Sequence, residues 1–125
     1  MSKGLMGLLF PKSQEEQRAE AYREVLREFA RIGGTVFGPT PKGTRREFFC
    51  LDEHTWIWHE EWTDDHKAYH TRTTRYDVRP HGIFKAQDGQ PYRPLTREEA
   101  INLYQAVSAY NQATREFALP RMRPA

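Results

Sequence analysis

Three tryptophans recur at even-numbered positions over a short stretch near the middle of the chain. In an extended strand over residues 55–62, the indoles of Trp56, Trp58 and Trp62 would share one face, because successive side chains point to opposite sides. A helix would distribute the same residues around its circumference. The pattern therefore predicts a β-strand whose even-numbered face supplies the large apolar side chains of a small core.

Turn residues on both sides of this strand predict three further strands. These cover residues 46–51, 69–79 and 83–87, and the third of the four is rich in threonine, as strands are. Pro80-His81-Gly82 has the form of a three-residue hairpin loop in which Gly82 takes the left-handed conformation. That loop would pair Val78 with Phe84.

The registers that these turns imply are mutually consistent. With Cys50 opposite Trp56 and Trp62 opposite His70, apolar residues collect on one face, namely Phe48, Cys50, Trp56, Trp58, Tyr76, Val78 and Phe84. The other face carries Phe49, Ile57, His59, Glu61, Thr71, Thr73, Arg75, Asp77 and Lys85. One apolar and one mainly polar face are typical of an antiparallel sheet that is covered on one side.

Two amphipathic segments flank the strands and predict helices. The first follows a capping box at Ser13–Glu16 and ends at Gly33-Gly34, and the second follows a capping box at Thr96–Glu99 and ends before Pro120. The predicted fold is α+β and two-layered. It is a four-stranded antiparallel meander with an N-terminal and a C-terminal helix packed on one face, in the order α-β-β-β-β-α.

The length of 125 residues fits one domain, predicted over residues 13–119 between an apolar N-terminal arm, 1–12, and a C-terminal tail, 120–125. The arm contains Leu5, Met6, Leu8, Leu9 and Phe10. It either packs on its own domain or docks on another copy or a partner, because exposed apolar surface marks interaction sites. The glycine- and proline-containing segment 36–46 is a connection or a lid.

Composition narrows the class of protein. An aromatic content of 13% argues against disorder, and the net charge of +2 leaves nucleic acid open as a partner without predicting it. The single cysteine, Cys50, excludes an internal disulfide, and the apolar run at 5–10 is too short to span a bilayer or to act as a signal peptide. These features favour a cytoplasmic protein without a membrane span.

Candidate chemistry is sparse. His59 and Glu61 point to the same side of a strand and form the best acid–base or metal-binding pair, but the residues opposite them are Thr73 and Thr71, which supply no third ligand. None of the five histidines has the spacing of a closed metal site, and no phosphate-binding glycine loop is present. We therefore expect no catalytic set, no metal and no cofactor, and consider an enzyme the less favoured alternative.

The function that the pattern favours is a small non-enzymatic interaction or assembly module. It would bind a protein partner or a second copy through the arm or through the open sheet face, where an apolar centre has a polar rim: Phe49, Ile57, His59, Glu61, Thr71, Thr73, Arg75 and Asp77. The alternative is an RNA- or single-stranded-DNA-binding protein, which requires exposed tryptophans as a stacking platform. A hydrolase or metal site at His59 and Glu61 is the third hypothesis.

Overall fold

The computed structural model describes residues 11–122, so most of the predicted arm lies outside the described residues. Along the chain the elements are helix α1 (Gln14–Gly33), strands β1 (Thr44–Asp52), β2 (Thr55–Thr63), β3 (Tyr69–Arg79), β4 (Gly82–Gln87) and β5 (Arg93–Pro94), and helix α2 (Arg97–Met122). The strands form one antiparallel sheet in sequence order. The α+β prediction is confirmed, and the two-residue β5 is an addition to it.

The register of the first three strands is the predicted one. Cys50 lies opposite Trp56, and Trp62 lies opposite His70. The core forms on the tryptophan face, where the Phe48 ring is 1% exposed, stacks on Trp56 at a centroid distance of 5.1 Å and meets the edge of Tyr110 from α2. Helical cover of this face is therefore confirmed.

The predicted register of β4 is wrong by one residue. Pro80-His81 forms a two-residue connection, so Val78 pairs with Ile83 and Asp77 with Phe84. Gly82 has a φ of 153°, not the left-handed value near 57° that the three-residue loop requires. Because strand faces alternate, Phe84 and Lys85 exchange sides.

The exchange has two consequences. Lys85 now lies on the helix side and pairs with Glu99 of α2, while Ile83 packs against the core. Phe84 lies on the open face, where the Arg79 guanidinium sits 4.6 Å from its ring. Two other residues predicted for the core face are also exposed: Cys50, near the end of edge strand β1, and Val78, at 37%.

Both predicted helix starts are confirmed by their caps. Ser13 accepts a hydrogen bond from the Glu16 N–H, and Thr96 and Glu99 form the full reciprocal box. The predicted end of α2 is wrong, because the helix continues through Pro120 to Met122. A proline in the last turn destabilises a helix less than one in its interior, because few intrahelical hydrogen bonds follow it. The Arg121 guanidinium also donates a hydrogen bond to the Phe117 carbonyl in this turn.

Glu99 joins the start of α2 to the sheet. Its carboxylate accepts from the Thr96 N–H and binds Arg93 through both oxygens, each at 3.1 Å, as well as Lys85. The Arg93 guanidinium, followed by the Lys85 ammonium, holds the pKa of Glu99 far below its usual value of 4.5.

Replacing Glu99 by glutamine is expected to lower the free energy of unfolding by about 1–2 kcal/mol at pH 7, because the cap and two ion pairs weaken. Since the folded-state pKa of Glu99 is depressed, its contribution is complete above pH 4.5 and declines as the pH falls toward the folded-state pKa. In urea unfolding, the difference between variant and wild type should therefore shrink at about pH 3. An equal difference at both pH values would contradict this role.

The last turn of α1 rests directly on the backbone of β1. A β-carbon at Gly33 would lie 1.9 Å from the Phe48 carbonyl oxygen, and one at Gly34 would lie 2.0 Å from the Arg46 carbonyl oxygen. The helix ends at this glycine pair as predicted, but Gly34 has a right-handed φ of −62°. The glycines are needed here for close approach of helix and strand.

Candidate functional site

The apolar stripe of α1 is only partly used inside the domain. Near its end Phe29 meets Phe117 of α2 edge to face at 6.0 Å, and Ala30 and Gly33 are buried. Earlier in the helix Tyr22 is 66% and Leu26 46% exposed. A helix normally gains its stability by burying such a stripe, so this part of α1 has apolar surface available for another segment.

A groove of about 710 Å³ lies between α1, β1 and α2. Its walls are the exposed part of α1 and the second half of β1, and α2 forms the remaining side. Its lining consists of Tyr22, Leu26, Arg27, Phe29, Ala30, Glu47, Phe49, Cys50, Leu51, Asp52, Tyr110, Asn111 and Thr114. We call this feature the α1–β1 groove.

The polar groups deep in the α1–β1 groove already have partners or carry no charge. The Thr114 hydroxyl donates to the Tyr110 carbonyl at 2.7 Å. Burial, followed by the neighbouring Cys50 thiol, raises the pKa of Tyr110 to about 12, so its phenol stays neutral. At the rim, the His54 N–H donates to the Asp52 carboxylate and lowers its pKa. The interior is thus suited to apolar side chains.

Strand β1 is an outer strand of the sheet and pairs, among the described residues, only with β2. The last turn of α1 covers its outer edge at Arg46 and Phe48. Beyond this point the edge borders the α1–β1 groove at Phe49–Asp52. Exposed strand edges offer backbone donors and acceptors to an extended segment, so the groove combines an apolar wall with a pairing edge.

The predicted open-face residues do lie together, and the side chains of four of their six polar members, His59, Glu61, Thr73 and Asp77, already have partners. His59 is bonded to Thr73 at 2.7 Å and lies 3.4 Å from Glu61, whose carboxylate accepts from the Tyr69 hydroxyl and pairs with Arg45. Asp77 pairs with Arg79. Ile57 is half-buried, whereas Thr71 and Arg75 are exposed. The result is mainly a polar surface.

Phe49 lines the α1–β1 groove in addition to facing Ile57 on the open side of the sheet. The two residues are register partners, as expected, and Phe49 also packs against the hydrophobic core. Three groove residues, Tyr22, Leu26 and Leu51, were not predicted as site residues. Tyr22 and Leu26 belong to the apolar stripe of α1, but the spacing of that stripe does not reveal which part the domain leaves exposed, and nothing in the sequence singles out Leu51 of β1.

The His59–Glu61 pair has little of what acid–base or metal chemistry requires. The Tyr69 hydroxyl lowers the pKa of Glu61, which makes this carboxylate a weaker base. Within residues 11–122, no three His, Cys, Asp or Glu side chains are grouped so that they could hold a metal ion. The hydrolase or metal hypothesis remains a prediction without a geometric argument in its favour.

The tryptophans differ in how much stacking surface they offer. Trp56 stacks on Phe48, and Trp58 donates its indole N–H to Glu60 at 2.8 Å. Trp62, near the sheet end, stacks on His70 at 5.4 Å and lies 5.3 Å from the Arg72 guanidinium. The nucleic-acid alternative remains a prediction, and Trp62 is the indole least enclosed by other aromatic rings.

No known protein family, no curated protein and no solved structure matches this chain. Neither helix of residues 11–122 combines the length and apolar character that crossing a membrane would require. The function is therefore inferred from the geometry of the described residues, in which the α1–β1 groove is a large and mainly apolar concave surface.

Proposed function

We propose that this protein is a non-enzymatic assembly module whose α1–β1 groove binds the apolar arm, Leu5–Phe10, of a second copy. The observation that supports the proposal is an apolar groove beside an open strand edge, in a chain that also carries a separate apolar segment. Extended segments bind such edges through backbone hydrogen bonds, and side-chain pockets supply the specificity.

The dimensions of the arm and the α1–β1 groove agree. Six extended residues span about 20 Å. The α1 residues that line the groove, from Tyr22 to Ala30, span about 12 Å along the helix axis, so an arm of this length can lie across them. An arm lying along this wall would bring its leucines to Tyr22 and Leu26 at one side and to Leu51 at the other. One bound arm therefore suffices to cover the exposed stripe.

The start of α1 favours the groove of a second copy over that of the same chain. The Lys12 ammonium pairs with the Glu20 carboxylate. The backbone carbonyl of Lys12 accepts a hydrogen bond from the Gln17 side chain. Around the helix Glu20 lies about 160° from Tyr22 and about 120° from Leu26, the two exposed apolar residues of the groove wall. Lys12, which joins the arm to the helix, is thus held away from Tyr22 and Leu26, and binding to them within one chain would require the arm to turn back around the helix.

The arm sequence itself is expected to bind the groove when supplied as a peptide. The acceptor is a full-length variant with Leu5, Leu8 and Leu9 replaced by serine, and the ligand is a fluorescent peptide of residues 1–10. Burial of several large apolar side chains, offset by the entropy of association, gives an expected Kd on the order of 10 µM. Fluorescence anisotropy measures it.

The control for this titration uses two positions of equal exposure. Leu26→Glu places a charge in the groove and should weaken peptide binding about 100-fold. Ile101→Glu changes a residue of α2 that is 47% exposed, against 46% for Leu26, and lies outside the groove, so affinity should be unchanged. Binding that survives Leu26→Glu, or no binding to the acceptor, would refute the proposal.

A further inference from the structure

A second cavity, of about 270 Å³, lies between the sheet and the first half of α2. Four of its seven lining residues are aromatic, namely Phe37, Phe48, Trp58 and Tyr76. The other three are Glu99, Asn102 and Leu103. It shares no lining residue with the α1–β1 groove. Its volume is just below the range usual for drug-sized ligands, so it suits a ligand of one or two rings.

Phe37 and Trp58 form the outer part of this aromatic cavity. Phe37 belongs to the connection between α1 and β1, is 51% exposed, and meets Trp58 edge to face at 4.7 Å. The Trp58 indole is held by its hydrogen bond to Glu60, which in turn pairs with Arg46. A flat ligand would therefore meet aromatic surface that is already positioned, which limits the entropy lost on binding.

The charges around the aromatic cavity disfavour a cation. Aromatic cages that bind ammonium groups rely on uncompensated negative potential. Here the only acidic lining residue, Glu99, is bound by Arg93 and Lys85, so this trio carries a net charge of one positive unit. A cation would have to compete with both basic side chains for the same carboxylate.

Two polar side chains of the aromatic cavity remain available for recognition. Asn102 forms no side-chain hydrogen bond with any residue from 11 to 122, and neither does the hydroxyl of Tyr76. A carboxamide offers both a donor and an acceptor, and a phenol offers the same. Burial raises the pKa of Tyr76, which keeps its hydroxyl protonated at neutral pH.

From these features we propose that the aromatic cavity binds a small, flat, uncharged heterocycle of nucleobase type. The ring stacks or packs edgewise against Trp58 and Phe37, and its donor–acceptor edge pairs with the carboxamide of Asn102. Pairing of this kind, combined with aromatic stacking, is how proteins read unstacked bases. The proposal does not depend on the assembly function.

Adenine is the probe for this site, with tetramethylammonium as the cationic comparison. In a ¹H–¹⁵N spectrum the indole N–H of Trp58 should shift on addition of adenine, while those of Trp56 and Trp62, which do not line the cavity, stay in place. Tetramethylammonium should leave all three unchanged. No adenine-dependent shift, a shift confined to Trp62, or an equal response to the cation would overturn the proposal.

Two substitutions test the assigned contacts in the full-length protein. Phe37→Ala and Asn102→Leu should each weaken adenine binding about tenfold, the loss expected for one stacking or hydrogen-bonding contact. Gln105→Leu, at an exposed position of α2 outside the cavity, is the control and should leave the affinity unchanged. Full affinity in both Phe37→Ala and Asn102→Leu would show that adenine binds elsewhere and would refute the site.

Discussion

Replacing Gly33 by alanine is expected to destabilise the protein by about 3 kcal/mol, despite the higher helix propensity of alanine. The added β-carbon would lie 1.9 Å from the Phe48 carbonyl oxygen and 3.0 Å from the Tyr110 ring. The first of these neighbours is backbone in a paired strand, so it cannot rotate away. The last turn of α1 must instead move off β1, which loosens the packing of Phe29 and Tyr110 in the core.

Urea unfolding followed by tryptophan fluorescence measures this loss, and Gly89→Ala is the matched control. A β-carbon at Gly89 would have no neighbouring atom within 4 Å, but the φ of this residue is 77°, so its replacement costs only the conformational penalty of about 1 kcal/mol. If Gly33→Ala proves no more destabilising than Gly89→Ala, the close contact between α1 and β1 does not exist as described.

The sheet is predictable where two independent signals agree. The even spacing of Trp56, Trp58 and Trp62 and the turns on either side of β2 lead to the same registers for β1, β2 and β3, and these are observed. The capping boxes likewise locate the starts of both helices, because their side chains satisfy specific backbone N–H groups. Local chemistry determines both kinds of feature.

The register of β4 is not predictable from its single turn signal. Pro80-His81-Gly82 is compatible with a two- or a three-residue connection, and the choice depends on contacts outside the turn. In the folded chain Ile83 enters the core and Lys85 meets Glu99 of α2, which comes later in the chain than the whole of β4. A sequence pattern identifies an apolar or charged side chain but does not identify the distant partner that decides its face.

The candidate site is harder to predict than the fold. The stripe of α1 predicts an amphipathic helix, but the spacing does not say how much of the stripe the domain itself covers. That depends on where Gly33 and Gly34 bring the last turn of α1 onto β1. Strand alternation correctly predicts that the open face is polar, yet the pairing of its side chains becomes visible only in three dimensions.

Leu26→Glu in the otherwise intact chain is expected to abolish self-association, the second large effect predicted for this protein. Leu26 lies in the wall of the α1–β1 groove, so a carboxylate there would have to be desolvated beneath the apolar side chains of the bound arm. Because Leu26 is 46% exposed in the domain, the same change should alter the free energy of unfolding by less than about 1 kcal/mol. A stable, folded variant that still associates would place the interface elsewhere.

The most direct measurement mixes two variants that cannot associate alone. One has the serine-substituted arm and an intact groove, and the other has an intact arm and Leu26→Glu; far-ultraviolet circular dichroism verifies that both are folded. In sedimentation velocity each alone should have the chain mass of 14.8 kDa, whereas their mixture should contain a one-to-one complex of twice that mass. A mixture that remains monomeric at concentrations where the wild type associates, or a wild type that is itself monomeric, would contradict the docking of the arm on a second copy.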